Sequence, residues 1–251
     1  MIKSLAKRTK IFSQHYRIFK LLVAYCLLSS VTGFAFAASP SSVQTTYDVY
    51  RSGMKIGLIE ETYTRDKDHY ILTSTTRAIG LLAIFKPGRI LISSSGLVDS
   101  QGLKPMRYSD QREGNESKNR RAEFDWETRQ LTLSHQKQRA VVALPEGTQD
   151  RLSAMYQFMF LSLQTATTLD FPMTNGSKLD NYHYAISHTQ KISTPAGEFD
   201  THYLNNQPKQ GEAKTEIWLA TEHHNLPCKM TITDADGAQL TQVLSKLSVS
   251  P

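Results

Sequence analysis

The sequence predicts a mainly β protein, an antiparallel meander forming a curved, partly open barrel with one buried α-helix. Three observations predict this class. Short runs of alternating apolar and polar residues, bounded by turn residues, recur along most of the chain. These runs read as sequential hairpins, which favours an antiparallel meander, closed or partly open. One segment, Gly147 to Ala166, departs from the alternation and is apolar at helical spacing.

The chain begins with a targeting pattern. Lys3, Lys7, Arg8, Lys10, Arg17 and Lys20 form a cationic stretch without an acid, and the apolar run after them ends in Ala35-Phe36-Ala37, a small-x-small cleavage signal. Residues 1–37 are expected to be a signal peptide, cleaved after Ala37, that directs the chain to the periplasm. Lys7-Arg8 is not a twin-arginine pair, so the general secretory route is expected. The alternative is an uncleaved anchor. The apolar run is shorter than the roughly 20 residues of a spanning helix, so no membrane-spanning segment is expected after cleavage. Tyr25 precedes Cys26 where lipoprotein processing needs a small residue, which argues against lipidation.

Cleavage changes the charge argument. Removing six of 29 basic residues and none of 23 acids leaves 23 against 23. The basic balance belongs to the targeting segment, and the global signature of nucleic-acid binding is missing. Removing 37 of 251 residues leaves 214, enough for a core without staples. Cys228 is then the only cysteine, so no internal disulfide can form. Its position after Pro227 in a strand-like run reads as a buried apolar side chain.

Residues 38–46 read as a disordered start, and 47–249 as a single β-rich domain. Three strands are expected between Thr45 and Ala78, with turns at Ser52-Gly53 and Asp66-Lys67-Asp68. Two more turn between Asp99 and Gly102, and three short ones lie between Lys118 and Pro145. Another pair meets across Pro195-Ala196-Gly197, and the last three follow Lys214, with Asp236-Gly237 a strong hairpin signal. Alternation is clearest where Tyr182, Tyr184 and Ile186 face away from Asn181, His183 and Ala185.

Leu152, Met155, Tyr156, Met159 and Leu163 fall on one helical face, and Phe158, Phe160 and Leu161 make the segment apolar nearly all round. A helix buried on most sides is expected, as a plug against a curved sheet. Asp150 is expected to cap its start and Arg151 to face solvent or pair locally.

Recognisable catalytic motifs are missing: no G-x-S-x-G, no H-E-x-x-H and no phosphate-binding glycine loop. His223 and His224 point to opposite sides of an extended segment, and His183, His188 and His202 read as lone surface histidines. The side chains of Glu60 and Glu61 diverge on a strand. Phe124 to Trp126 reads as core packing before a carbohydrate platform. The segment Arg77 to Arg89 is different. Leu81, Leu82, Ile84 and Phe85 are apolar where polar turn residues are usual, and Arg77, Lys86 and Arg89 flank them. This suits an amphiphile with an acyl chain and an anionic head; the plainer reading is a buried short helix with snorkelling bases.

In "YDVYRSGMKIG", "RAIGLLAIFKPGRI", "FDW", "DRLSAMYQF", "TPAGEFDT" and "WLATEHHNLPCKMTITDADG" the chain resembles the bacterial family catalogued as domain of unknown function 3108. The resemblance runs from about Tyr47 to Leu247. It implies an exported envelope protein with a fold similar to the half-open barrels of periplasmic lipoprotein carriers, and it supplies no catalytic residues.

The expected function is a soluble periplasmic or cell-envelope binding or carrier module for an apolar or amphiphilic, lipid-like ligand. The expected lining is Leu81, Leu82, Ile84 and Phe85, with Tyr156, Met159 and Phe160 from the helix and Arg77, Lys86 and Arg89 for the head. No cofactor, metal, nucleic-acid partner or enzymatic activity is expected. The alternative is an envelope interaction protein that binds another protein or a cell-wall polymer through a sheet edge.

Overall fold

The structure, a computed structural model, describes residues 39–85, 88–209 and 211–251. The expected signal peptide lies outside the described residues. A single sheet of 15 strands takes in the rest. Eight consecutive strands form the first wing: β1 (Ser42–Arg51), β2 (Met54–Asp66), β3 (His69–Ala78), β4 (Ile90–Asp99), β5 (Gly102–Arg112), β6 (Arg120–Asp125), β7 (Gln130–His135) and β8 (Gln138–Ala143). The second wing holds β9 (Gln149–Asp150), β10 (Thr168–Thr174), β11 (Leu179–Thr194), β12 (Gly197–Asn205), β13 (Lys214–Ala220), β14 (Leu226–Thr233) and β15 (Gln239–Ser250).

Each wing is a meander of antiparallel neighbours, except that the two-residue β9 runs parallel to β10. β1 and β15 pair along their full lengths, from Ser42 opposite Ser250 to Arg51 opposite Leu240, and this seam joins the wings. The sheet is not closed; β8 and β9 are its edges. Register shifts interrupt five pairings, at Thr46/Tyr47, Val49/Tyr50, Ser95/Gly96, Ser187/Gln190 and Trp218/Leu219. Bulges bend a strand and increase its twist, so these shifts curl a sheet too wide to stay flat.

The turns follow their residues. Ser52 and Gly53 both have positive φ, 47° and 84°, as a two-residue hairpin turn requires. At Gly96 the limit is space: a Cβ there would stand 2.2 Å from the carbonyl oxygen of Lys104. Only glycine lets the bulged strand β4 approach β5 this closely.

Inward-facing residues form three apolar groups. Tyr63, Tyr70, Leu72, Phe124, Leu131 and Tyr156 centre the group inside the first wing. Tyr47, Val49, Phe199, Cys228 and Leu244 form the second across the seam. Phe158, Leu163, Tyr184, Leu204, Ile217 and Leu219 form the third inside the second wing. Met155 packs against the first and third, so the segment that carries it lies between the wings.

Three expectations need correction. Residues 42–46 are not disordered but part of β1, with Val43 fully buried and the strand hydrogen-bonded on both sides. The helix expected from Gly147 to Ala166 is a single short one, α2 (Ser153–Gln157), followed by a 3-10 turn at Phe158–Phe160. Burial from both wings makes the segment apolar all round, whether or not it is helical. β10 was not expected; its Pro172 is tolerated because the strand lies beside the sheet's edge. The connector is a five-residue helix, α1 (Leu81–Phe85). Among the described residues no helix is long and apolar enough to cross a membrane.

Gly96→Ala should lower stability by about 1–3 kcal/mol, the range for overpacked sites. A urea denaturation midpoint equal to that of the unmodified protein would show that the bulge does not need glycine.

Candidate binding site

The expected lining is not gathered at one place. Tyr156 is buried in the first-wing core and stacks on Tyr63 at 5.8 Å, and Met159 and Phe160 pack against the same core. Ile84 is 73% exposed and Leu82 half-buried. The side chains of Leu81 and Phe85, and all of Lys86, lie outside the described residues. Two of the three expected cations are already paired, Arg77 with Glu60 at 2.6 Å and Arg89 with Glu113 at 3.0 Å. The histidine reading also needs correction. His202 is only 7% exposed, and its Nδ1 lies 3.0 Å from that of His188, whose Nε2 is 3.1 Å from the Ala166 carbonyl oxygen. The readings of Cys228 and Phe124 as buried residues agree with the structure. Burial pushes the Cys228 thiol up to about 12, which leaves it unreactive.

What the fold does build is a cavity of about 290 Å³ between the wings. Ile59, Glu61, Ser74, Thr76 and Ile92 of β2, β3 and β4 form one wall. Tyr182, Tyr184, Ile217, Met230 and Ile232 of the second wing face them. Arg151, Leu152 and Met155 at the start of α2, with Met173 and Asn175 from the end of β10, complete it. A larger depression of about 740 Å³ lies between Glu116 and Arg139, but it is open and walled mainly by charged and amide side chains. The cavity between the wings combines apolar side chains from both wings with a few convergent polar groups.

α2 is held at the cavity by hydrogen bonds to both wings. Asp150, fully buried, accepts from the backbone N–H groups of Leu152 (2.9 Å) and Ser153 (2.8 Å) through Oδ1. Its Oδ2 accepts from Ser94 Oγ of β4 at 2.5 Å. Ser153 Oγ in turn accepts from the Asp150 backbone N–H, which completes a reciprocal cap. Having donated its one proton to Asp150, Ser94 accepts from Tyr70 OH at 2.9 Å. Gln157 Oε1 accepts from Leu103 N, Gln149 Nε2 donates to Leu103 O, and Asn225 Nδ2 donates to Leu161 O from the second wing. The expected cap is therefore present, within a larger buried network.

One carboxyl group and one guanidinium line the cavity. Glu61, half-buried, accepts from Ser74 Oγ (2.9 Å) and Tyr156 OH (3.1 Å). Burial pushes its carboxyl above the ordinary glutamate value, against these two hydrogen bonds and the charge of Arg151. The Arg151 backbone N–H donates to Thr174 O at 3.0 Å, while its side chain is exposed. Adjacent Glu60 and Glu61 do diverge: Glu60 stays outside with Arg77. No local pattern marks Glu61 as facing a cavity, since the facing wall lies more than 100 residues away along the chain.

The family model described as "Protein of unknown function (DUF3108)" matches residues 46–245. The chain belongs to this family. No curated protein matches the sequence. Among solved structures, this DUF3108 chain is similar to a β-barrel-like protein of domain of unknown function DUF1849 from Brucella abortus. The TM-score is 0.58 at 12% identity, over 84% of this chain and 99% of that one. Weaker likenesses are to a candidate lipoprotein from Parabacteroides distasonis (TM-score 0.35, 12% identity, 83% and 95% covered) and a candidate exported protein with a YmcC-like fold from Bacteroides fragilis (0.32, 9%, 83% and 96%). The first likeness shows the fold, a barrel-like curled sheet, and agrees with the open architecture described above.

Burial, opposed by the Ser94 hydrogen bond and the two amides, pushes the Asp150 carboxyl from 3.8 up to about 6. Folded Asp150 therefore holds its proton more tightly than unfolded Asp150. Its stabilising share is full below pH 3.8 and is lost as pH rises through about 6. Asp150→Asn should flatten the dependence of the denaturation midpoint on pH between 4 and 7, with Glu61 contributing a remaining slope of the same sign. Asp150→Ala, which strips two amides and Ser94 of their acceptor, should cost about 2–4 kcal/mol. An unaltered pH profile in the Asn variant would show that Asp150 is not the titrating group.

Proposed function

We propose that this protein is a periplasmic binding or carrier module that takes the apolar part of an amphiphile between the two wings of its sheet, without chemistry on it. The observation that carries this reading is the cavity itself. Apolar side chains from both wings and from α2 face a shared space there rather than one another. Side chains without a partner on one side forgo dispersion contacts, and an apolar ligand would restore them. At about 290 Å³ the space is at the small end of ligand sites, which run from roughly 300 to 1,000 Å³. It suits one acyl chain or a compact amphiphile, with any larger remainder outside. The apolar α1, with Ile84 in solvent, follows β3 at the end where Thr76 lines the cavity.

A second reading rests on β8. All six of its residues are exposed, Val141 by 55% and Val142 by 37%, and among the described residues its outer edge has no strand partner. An apolar edge of this kind can add a strand from another protein.

Thr76→Trp tests the first reading, because Thr76 is half-buried at the cavity wall and an aromatic residue suits a strand. The native protein should enhance the fluorescence of a pyrene-labelled fatty acid. The Trp variant should bind it about tenfold or more weakly, a loss of roughly 1.4 kcal/mol, with its melting temperature and circular dichroism retained. Undiminished binding by a folded variant would move the site elsewhere. No binding by the native protein would leave the β8 edge as the better reading.

A further inference from the structure

We infer that the cavity selects amphiphiles with an anionic head, and that Arg151 receives the head. This deepens the binding reading above and rests on it. The main-chain hydrogen bond to Thr174 O, together with the fixed residues Asp150 and Leu152 on either side, pins Arg151 at the cavity wall. Its guanidinium is uncommitted. Among the described residues Arg151 makes no side-chain hydrogen bond and has no carboxylate within 4.0 Å, whereas Arg77, Arg89, Arg112 and Arg129 are each paired with one. An arginine with a free fork is suited to a carboxylate or a phosphate, which it can grip with two parallel hydrogen bonds.

The surroundings add to this. Asn175 shares the wall with Arg151, and the next residue, Gly176, lies against Arg120 and Tyr108. A Cβ on Gly176 would stand 2.9 Å from Arg120 Cβ and 3.2 Å from Tyr108 Cε1. Arg120 also lacks a carboxylate within 4.0 Å among the described residues, and its Nε and the Tyr108 hydroxyl are buried without partners. The nearby acids offset little of this. Asp110, opposite Arg120 in register, is paired with Arg112 at 3.4 Å although its Oδ1 is unpartnered, and Asp150 is held by two amides and Ser94. Lys178 is paired with Asp180. Positive charge therefore lines the cavity at Arg151, and more of it, with unused hydrogen-bond donors, lies behind the wall at Arg120 and Tyr108.

Glu61 offers the opposite choice, a site for a cationic head, and the structure disfavours it. Both of its carboxyl oxygens already accept hydrogen bonds, from Ser74 and Tyr156, and burial disfavours its ionised form.

The test is a comparison of one chain with different heads. Dodecanoate, dodecyl phosphate, dodecanol and dodecylamine are titrated below their micellar concentrations into the native protein, Arg151→Gln and Arg151→Lys. The native protein should bind dodecanoate or dodecyl phosphate at least about tenfold more tightly than dodecanol, the scale of a charge-assisted hydrogen bond. Arg151→Gln should bring that ratio to within about threefold, and Arg151→Lys should keep part of it. The better of the two anions tells a fatty carboxylate from a phosphate lipid. Equal affinity for dodecanol, a preference for dodecylamine, or an anion preference that survives in Arg151→Gln would each overturn the inference and leave the carrier reading standing. If none of the four ligands binds the native protein, both are overturned.

Discussion

The interior depends on one buried carboxylate. Asp150 takes an ionisable group wholly out of water, which is costly unless its oxygens find donors. It finds three, two on the turn that leads into α2 and one on β4. That arrangement fixes where the chain enters the space between the wings. Arg151 and Leu152 follow at once, so the same three hydrogen bonds place two of the residues that wall the cavity. Compensation is incomplete, since burial still raises the carboxyl's affinity for its proton. The network is therefore a positioning device obtained at a cost in stability, of the kind found where a site has to be held in one geometry.

The strands were legible because each hairpin writes its own signal. Turns at Ser52-Gly53, Asp66-Lys67-Asp68 and Asp236-Gly237 stand where the structure places them, between runs whose alternation reflects one buried and one wet face. Alternation fails as a guide where burial is not one-sided. From Met155 to Leu163 apolar residues meet core on several sides, so their pattern reports surroundings and not helix length. Residues 42–46 failed for the opposite reason. Ser, Gln and Thr look like a loose end, but the strand is held by β15, about 200 residues away, which leaves no local trace.

The candidate site was less legible than the fold. Its walls come from β2, β3 and β4 and from β10, β11, β13, β14 and β15, brought together only when the wings curl. Glu61 looked like half of a divergent surface pair, and Arg151 like a solvated neighbour of a cap. The connector misled through its composition. Arg77 and Arg89 appear unpaired in sequence, yet strand register sets each beside a glutamate 17 or 24 residues away. This chain and the β-barrel-like DUF1849 protein share the curled sheet at 12% identity, so the backbone constrains side chains weakly. Any functional difference among them would be set by which residues face the interior.

The seam between β1 and β15 also has a consequence for synthesis. A chain made from its N-terminus presents β1 long before β15. Until the twelve residues of β15 arrive, β1 keeps a bare row of amides and carbonyls in what will become the middle of the sheet. Ordering that waits on contacts so far apart along the chain is slow, and an open row of this kind attracts stray strands in the meantime. A chain that lacks β15 therefore carries an adhesive edge along β1.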